Sequence, residues 1–465
     1  MKHIILLFIF ITILFTSCDD ALEANLSDQV ELNQTIVDLE TLNVAVNGSY
    51  SRFATGDVYN RGLIVIPALL SDNASLDPFD NRGRFVEYNN YTVTDNDPRA
   101  DALWDDLYRS VAQTAIIIRE TAKLEFTENE ISQANQFVGE AYTLRALALL
   151  LLQQYYAQPY NFTSDASHLG VILPDFEKVG LEVLEPSRTT TALVYDQIVN
   201  DLTTAIDLLD VNENNSGRID RIAAKALLAR TYLHMEDWVN AEILATETID
   251  EFEGGLIPTD EYVNSWNLDQ SSESILKLIN TPTDNSGDAS AGFFFLSDKE
   301  AFATPDFISN FSDTDVRLGL YPLDEGVNQH LISKYPRING TDNIEVVRLS
   351  EMYLIKAEAH ARMNQSGDAL IALNSLVEIR DPDADPVALS GQSLINRILL
   401  ERRKELAFEG FRVHDLARTA TTFTKFRILL GNITINAPDN FTILPIPIDE
   451  INVNPGVQGQ QNPGY

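Results

Sequence analysis

Ala223-Ala224-Lys225-Ala226-Leu227-Leu228-Ala229-Arg230-Thr231-Tyr232-Leu233 runs through Glu236-Asp237-Trp238 to Ala241, and Glu351-Met352-Tyr353-Leu354-Ile355-Lys356-Ala357-Glu358-Ala359 runs through Asn364-Gln365 to Ala369. Each stretch sets two alanines twelve residues apart, 229 with 241 and 357 with 369. A small residue at the same point of two successive helices lets their backbones approach, where a bulkier one would force them apart. The reading is a helix, a tight turn and a second antiparallel helix, twice over.

This is the spacing of a tetratricopeptide helix pair, and it predicts pairs over about 218–252 and 346–380. The full repeat period does not continue between them, so a pure solenoid is not expected; generic alanine-rich amphipathic helices are the other reading of the same residues. Upstream, Ile131, Ala134, Phe137, Val138, Ala141, Leu144, Ala148, Leu151, Leu152 and Tyr155 form one helical stripe, and Trp104, Leu107, Tyr108, Val111, Ala115 and Ile118 another. The expected class is all-α: a scaffold of tetratricopeptide-like pairs with little strand, and long irregular loops building the binding face. Three stretches rich in turn residues, 56–100, 156–188 and 253–345, supply those loops.

Composition narrows the function. The 465 residues hold 33 Lys+Arg against 69 Asp+Glu, a formal charge of -36, which argues against nucleic acid and against direct adhesion to anionic lipid. Enzyme readings lack parts. His168, His234, His330, His360 and His414 are scattered, with no metal-ligand spacing, and no phosphate-cradling glycine loop follows a strand. Asp381, Asp383 and Asp385 offer calcium hard oxygens, but without the glycine and terminal glutamate of a calcium loop the run reads as a solvated turn. Glu401, Glu405 and Glu409 fall one helical turn apart beside Arg402, Arg412 and Arg418, which suits a charged lattice pinning a helix to a loop; Gly410 permits the turn that follows. No catalytic residue, metal or dissociable cofactor is expected.

At the N-terminus, Lys2 and His3 lead into the apolar run 4–15 and then Thr16-Ser17-Cys18, a leader too short to span a bilayer. Cys18 is the only cysteine, so no internal disulfide is available to it. Its setting resembles a bacterial lipobox, with Phe15 where leucine is usual. The implied organisation is a leader over 1–17, lipidation (diacylglycerol and palmitate-type acyl chains) at Cys18, a flexible tether over 18–34 and a body over 35–465. Within the body fall an N-terminal part over about 35–210, a variable loop region over about 253–345 and a C-terminal region over about 253–465. Asp19 and Asp20 resemble the tether of lipoproteins that face the cell exterior.

The run Arg348-Leu349-Ser350 into Glu351–Ala359, the run Glu401–Arg412 with Asp415-Leu416 and Arg418, and the ending Pro445 to Pro447, Glu450-Ile451 and Gln461-Asn462-Pro463-Gly464-Tyr465 resemble the SusD/RagB outer-membrane lipoproteins. Trp104 with Leu107-Tyr108, Leu144-Arg145-Ala146, Tyr195 with Asp201-Leu202, and Ala223 to Trp238 follow the same order upstream. The resemblance implies a helical fold, capture of a nutrient, chiefly an oligosaccharide, at the outer membrane, and a SusC-like TonB-dependent transporter as partner. Peptide capture on the same frame, or a helical-repeat scaffold with no ligand, are the alternatives. Sugar binding needs flat aromatic faces flanked by planar amides and guanidiniums. Arg84, Tyr88, Asn89, Tyr91 and Trp104 offer that mixture first, and Trp266, Phe294 and Tyr321 second. Each aromatic has the alternative of anchoring the core, Trp104 above all because it opens an amphipathic helix.

Overall fold

The computed structural model describes residues 36–211 and 217–465; the leader, Cys18 and the tether to residue 34 lie outside them. Among the described residues, nine helices of fourteen residues or more carry the fold: α1 (Leu39–Phe53), α2 (Pro98–Thr121), α3 (Ile131–Tyr156), α4 (Thr191–Leu208), α5 (Arg221–Met235), α6 (Trp238–Glu251), α7 (Leu349–Arg362), α8 (Ser366–Arg380) and α9 (Gly391–Glu405). Their starts are written locally. Asp97 accepts from the amides of Arg99 and Ala100 ahead of Pro98, Asp220 accepts from Ala223 N, and Asp38 and Thr41 close a capping box on α1.

Packing runs in chain order. α3 lies against α2 and α4, α4 against α5, α5 against α6, α6 against α7, and α7 against α8 and α9. The four alanines sit at these contacts with no exposed surface, Ala229 and Ala241 in the main core and Ala357 and Ala369 in a second core under α7 to α9. The helix-pair reading therefore holds. α3 is buried nearly all round from Gly139 onward, so its central turns form the hub of the N-terminal part.

Strands are short. β1 (Ala74–Leu76), β5 (Ala301–Ala303), β6 (Leu323–Asp324) and β7 (Gln329–His330) form a sheet in the order β1-β5-β7-β6, while β2 (Leu169–Ile172) pairs with β3 (Arg188–Thr190). β4 (Ser274–Leu278) pairs with β8 (Ile344–Arg348), which leads straight into α7, and β9 (Thr422–Lys425) pairs with β10 (Ile433–Asn436). One stretch expected to be irregular contains a helix, Gly62–Leu69, whose eight residues are all buried. Its sequence is apolar on every side, so no amphipathic period marks it.

Candidate functional site

The structure draws most of the expected aromatic platform inward. Trp104 is 4% exposed, its ring edge-on to Tyr156 at 4.9 Å and tilted against Tyr108 at 4.5 Å. Tyr88 is fully buried and donates to Asp97 Oδ1 at 2.6 Å; burial, and after it Asp97, push its phenol well above the usual range. Asn89 is buried with its Oδ1 accepting from Leu76 N at 3.3 Å, and Tyr91, half-buried, donates to Leu70 O at 2.9 Å. Phe294 and Tyr321 are buried among other rings, Tyr321 with its ring centre 5.0 Å from Phe307 and 5.6 Å from Phe408. Trp266 lies under Lys334 Nζ, 4.6 Å from the ring centre. Arg84 is committed to Glu300, with Nε at 2.8 Å from Oε1, and to Asp298. Trp104 anchors α2 in the core and the others hold the loops; apart from the partly exposed Tyr91, Trp266 and Arg84, they have almost no surface to offer a ligand.

The acidic run is likewise interior, with different partners from those its spacing suggested. Helix α9 ends at Glu405, and Phe408 and Gly410, both at positive φ, turn the chain; a Cβ on Gly410 would stand 2.7 Å from Leu63 O. Glu405, with no exposed surface, meets Arg317 at 3.1 Å, Arg348 at 3.0 Å and Arg380 at 3.1 Å. Glu401 meets Arg317 at 2.6 Å, and Glu409 meets Lys334 at 2.7 Å and Arg348 at 2.8 Å. Burial pushes the Glu405 carboxyl up, but Arg380, Arg348 and Arg317 outweigh it and hold it well below the usual range. Arg402 and Arg418 turn instead to Asp415, and Arg412 to Asp72.

That last pair opens onto the surface. A cleft of about 480 Å³ lies between Asp72, the turn at Pro305 and Asp306, the start of the short helix Arg412–Arg418, and the β9–β10 hairpin. The strand period builds one wall. Along β9, Phe423 and Lys425 point inward while Thr422 and Thr424 point out. Phe423 packs with Leu416, Ala437 and Ile435, and Lys425 donates to Ala74 O of β1. Burial pushes the Lys425 amine down to about 7, against the opposing pull of Asp72. Phe426, half-buried, and Asn432 complete the wall.

The opposite wall is a ladder of charges. Arg412 grips Asp72 in a fork, Nε to Oδ1 at 2.8 Å and Nη2 to Oδ2 at 2.7 Å. Arg403, from α9, reaches Asp72 at 3.3 Å and Asp306 at 2.9 Å. Burial pushes the Asp72 carboxyl up, yet Arg412 and then Arg403 prevail and keep it below the usual range, so it stays ionised at neutral pH. Two groups remain uncommitted. Among the described residues Arg412 Nη1 has no hydrogen-bond partner, and the Asp306 side chain is 66% exposed beyond its contact with Arg403.

A further exposed ring stands past the far end of β1. Phe79 is 83% exposed on a loop ordered by its own amide, which donates to Asp77 Oδ1 at 2.7 Å, and by Asn81 Nδ2, which donates to Asp77 O at 2.7 Å. None of Phe79, Phe426, Thr424 or Asp306 was singled out from sequence. The available signals were an aromatic between turn residues at Asp77-Pro78-Phe79-Asp80 and the polar alternation Thr422-Phe423-Thr424.

Comparison with known proteins gives a consistent picture. A family model described as the SusD family matches residues 309–465, and one described as starch-binding associating with outer membrane matches residues 25–233. SusD-like protein P2 of Formosa agariphila is 25% identical, with 100% of both chains covered. A solved SusD superfamily protein from Bacteroides thetaiotaomicron superposes with a TM-score of 0.83 at 27% identity, covering 92% of this chain and 100% of that one. Another, from Bacteroides vulgatus, gives 0.83 at 25% identity over 92% and 100%.

Proposed function

The chain belongs to the SusD family, and on that footing we propose that it binds carbohydrate at the outer membrane through the cleft between Asp306, Arg412 and the β9–β10 hairpin. The observation that carries this reading is the meeting, in one open cleft, of an aromatic ring at Phe426, outward threonine hydroxyls at 422 and 424, a guanidinium with a free Nη1 and an exposed carboxylate. Sugar hydroxyls donate and accept at once, so a wall offering both kinds of partner beside an apolar face matches them. Asp72 is locked to two guanidiniums and is not free to act as an acid or base; in this reading the ligand is held and released, not cleaved.

Cys18 as the lipidated residue, with the tether behind it, supplies the attachment in this reading: several acyl chains at about 0.8 kcal/mol per buried methylene anchor a body whose described residues contain no helix long and apolar enough to cross a membrane. The body faces the exterior and passes its ligand to a TonB-dependent, SusC-like transporter. Titration calorimetry of the lipid-free protein against neutral oligosaccharides of α- and β-linked glucose tests the binding claim. Saturable binding that a Phe426→Ala variant weakens, with the sugar recovered intact, is the expected result; heat only from peptides, or binding indifferent to Phe426, would overturn it.

A further inference from the structure

Resting on the carbohydrate reading of the cleft, we infer that the site selects uncharged sugars and rejects polyanionic ones, such as sulfated or uronate oligosaccharides. The cleft holds two carboxylates and one guanidinium on its surface, Asp72, Asp306 and Arg412, and Arg403 behind them brings the ladder to neutrality. Both guanidiniums already face carboxylates, Arg412 through two hydrogen bonds to Asp72 and Arg403 through Asp72 and Asp306. A sulfate or carboxylate entering the cleft can reach Arg412 Nη1 without breaking a pair, but the guanidinium it meets there is already balanced by Asp72, and the exposed Asp306 shares the cleft. Whether it docks there or breaks a pair, the added negative charge has no cation of its own.

The cations nearest by sequence are turned elsewhere. Lys425 points through β9 to Ala74 O, and Arg427 folds onto its own hairpin tip, with Nε to Gly431 O at 3.1 Å and Nη2 to Leu430 O at 3.4 Å. The whole chain adds to the effect, since its formal charge of -36 sets a net long-range repulsion against a polyanion. Arg412 Nη1 can still donate to a neutral hydroxyl, because that contact asks nothing of the Asp72 pair. The paired guanidinium is thus a hydroxyl donor rather than an anion trap.

The test is calorimetry with length-matched probes, maltoheptaose and cellohexaose against oligogalacturonate and a sulfated maltooligosaccharide, at low and high NaCl. Neutral binding should change by less than about 2-fold with salt, while the anionic probes should bind at least about 10-fold more weakly, and worst at low salt where screening is least. An Asp306→Asn variant should narrow that gap by about 3-fold or more by removing the exposed negative charge. Tight binding of the anionic probes that weakens as salt rises would overturn the charge selection and leave the carbohydrate reading standing. Failure of every probe of either charge would remove the carbohydrate reading, and the selection with it.

Discussion

The ionic lattice around Glu405 and the charge ladder at the cleft are built from the same parts, arginines in forks on carboxylates, and differ in where the water is. Around Glu405 three arginines and a glutamate have almost no exposed surface, and every contact is internal. At the cleft the Asp72–Arg412 pair is as close, but Asp306 stands in solvent and Arg412 keeps one nitrogen without a partner among the described residues. A buried pair can only hold the chain in place; a half-open one can hold a ligand as well. Charge chemistry alone does not separate the scaffold from the proposed site; burial does.

The sharpest way to break that contrast is to remove its interior half. Glu405→Ala leaves three guanidiniums in the core without their shared carboxylate, and an unfolding free energy lower by about 5 kcal/mol, the upper end for breaking a buried pair, is expected, read by urea denaturation. Next comes Trp104→Ala, which empties a packed position between Tyr108 and Tyr156 and should cost about 3–5 kcal/mol of stability in the same assay. Any oligosaccharide affinity should survive in the fraction that stays folded.

Those two residues show how far the sequence could be read. The helix pairs were legible because an alanine at a fixed interval has one packing consequence, and Ala229, Ala241, Ala357 and Ala369 are all at zero exposure. Trp104 and Tyr88 misled as sugar platforms because aromatic rings among Asn, Asp and Gly look like a binding loop, whereas those polar neighbours serve the backbone: Asp97 both caps α2 and takes the Tyr88 hydroxyl. The cleft had no signature beyond the polar alternation of its one strand wall at Thr422-Phe423-Thr424. Asp72, Asp306, Arg412 and Thr424 come from distant parts of the chain, and no spacing rule joins them.

Proton uptake tests the same boundary with a smaller effect. Burial pushes the His414 imidazole down to about 4, and its Nε2 has no hydrogen-bond partner among the described residues. Above about pH 6.5 it is neutral in both states; as the pH falls from there toward 4, the unfolded chain takes up a proton that the folded one refuses, so stability should drop by up to about 3 kcal/mol. Below about pH 4.5 the depressed Glu405 and Glu409 carboxyls add a further loss. A His414→Gln variant should show a flatter melting profile across pH 6.5 to 4, and an unchanged slope would place the sensitivity elsewhere.

Smallest in stability is the change at the cleft wall. Phe426→Ala should shift unfolding by no more than about 1 kcal/mol, since its ring is only half-buried, while weakening neutral-oligosaccharide affinity by about 1–3 kcal/mol. Calorimetry and thermal melts on one preparation separate the two quantities. Equal losses in both would make Phe426 a packing residue like Trp104.

The central claim is tested most directly by a crystal structure of the protein with a neutral oligosaccharide that binds it in solution. The expected result is a sugar ring against Phe426, with hydroxyls on Arg412 Nη1, Thr424 and the exposed carboxylate of Asp306, and the Asp72–Arg412 fork intact. Sugar bound on another surface with this cleft unchanged, for example around Phe79 alone, would contradict it.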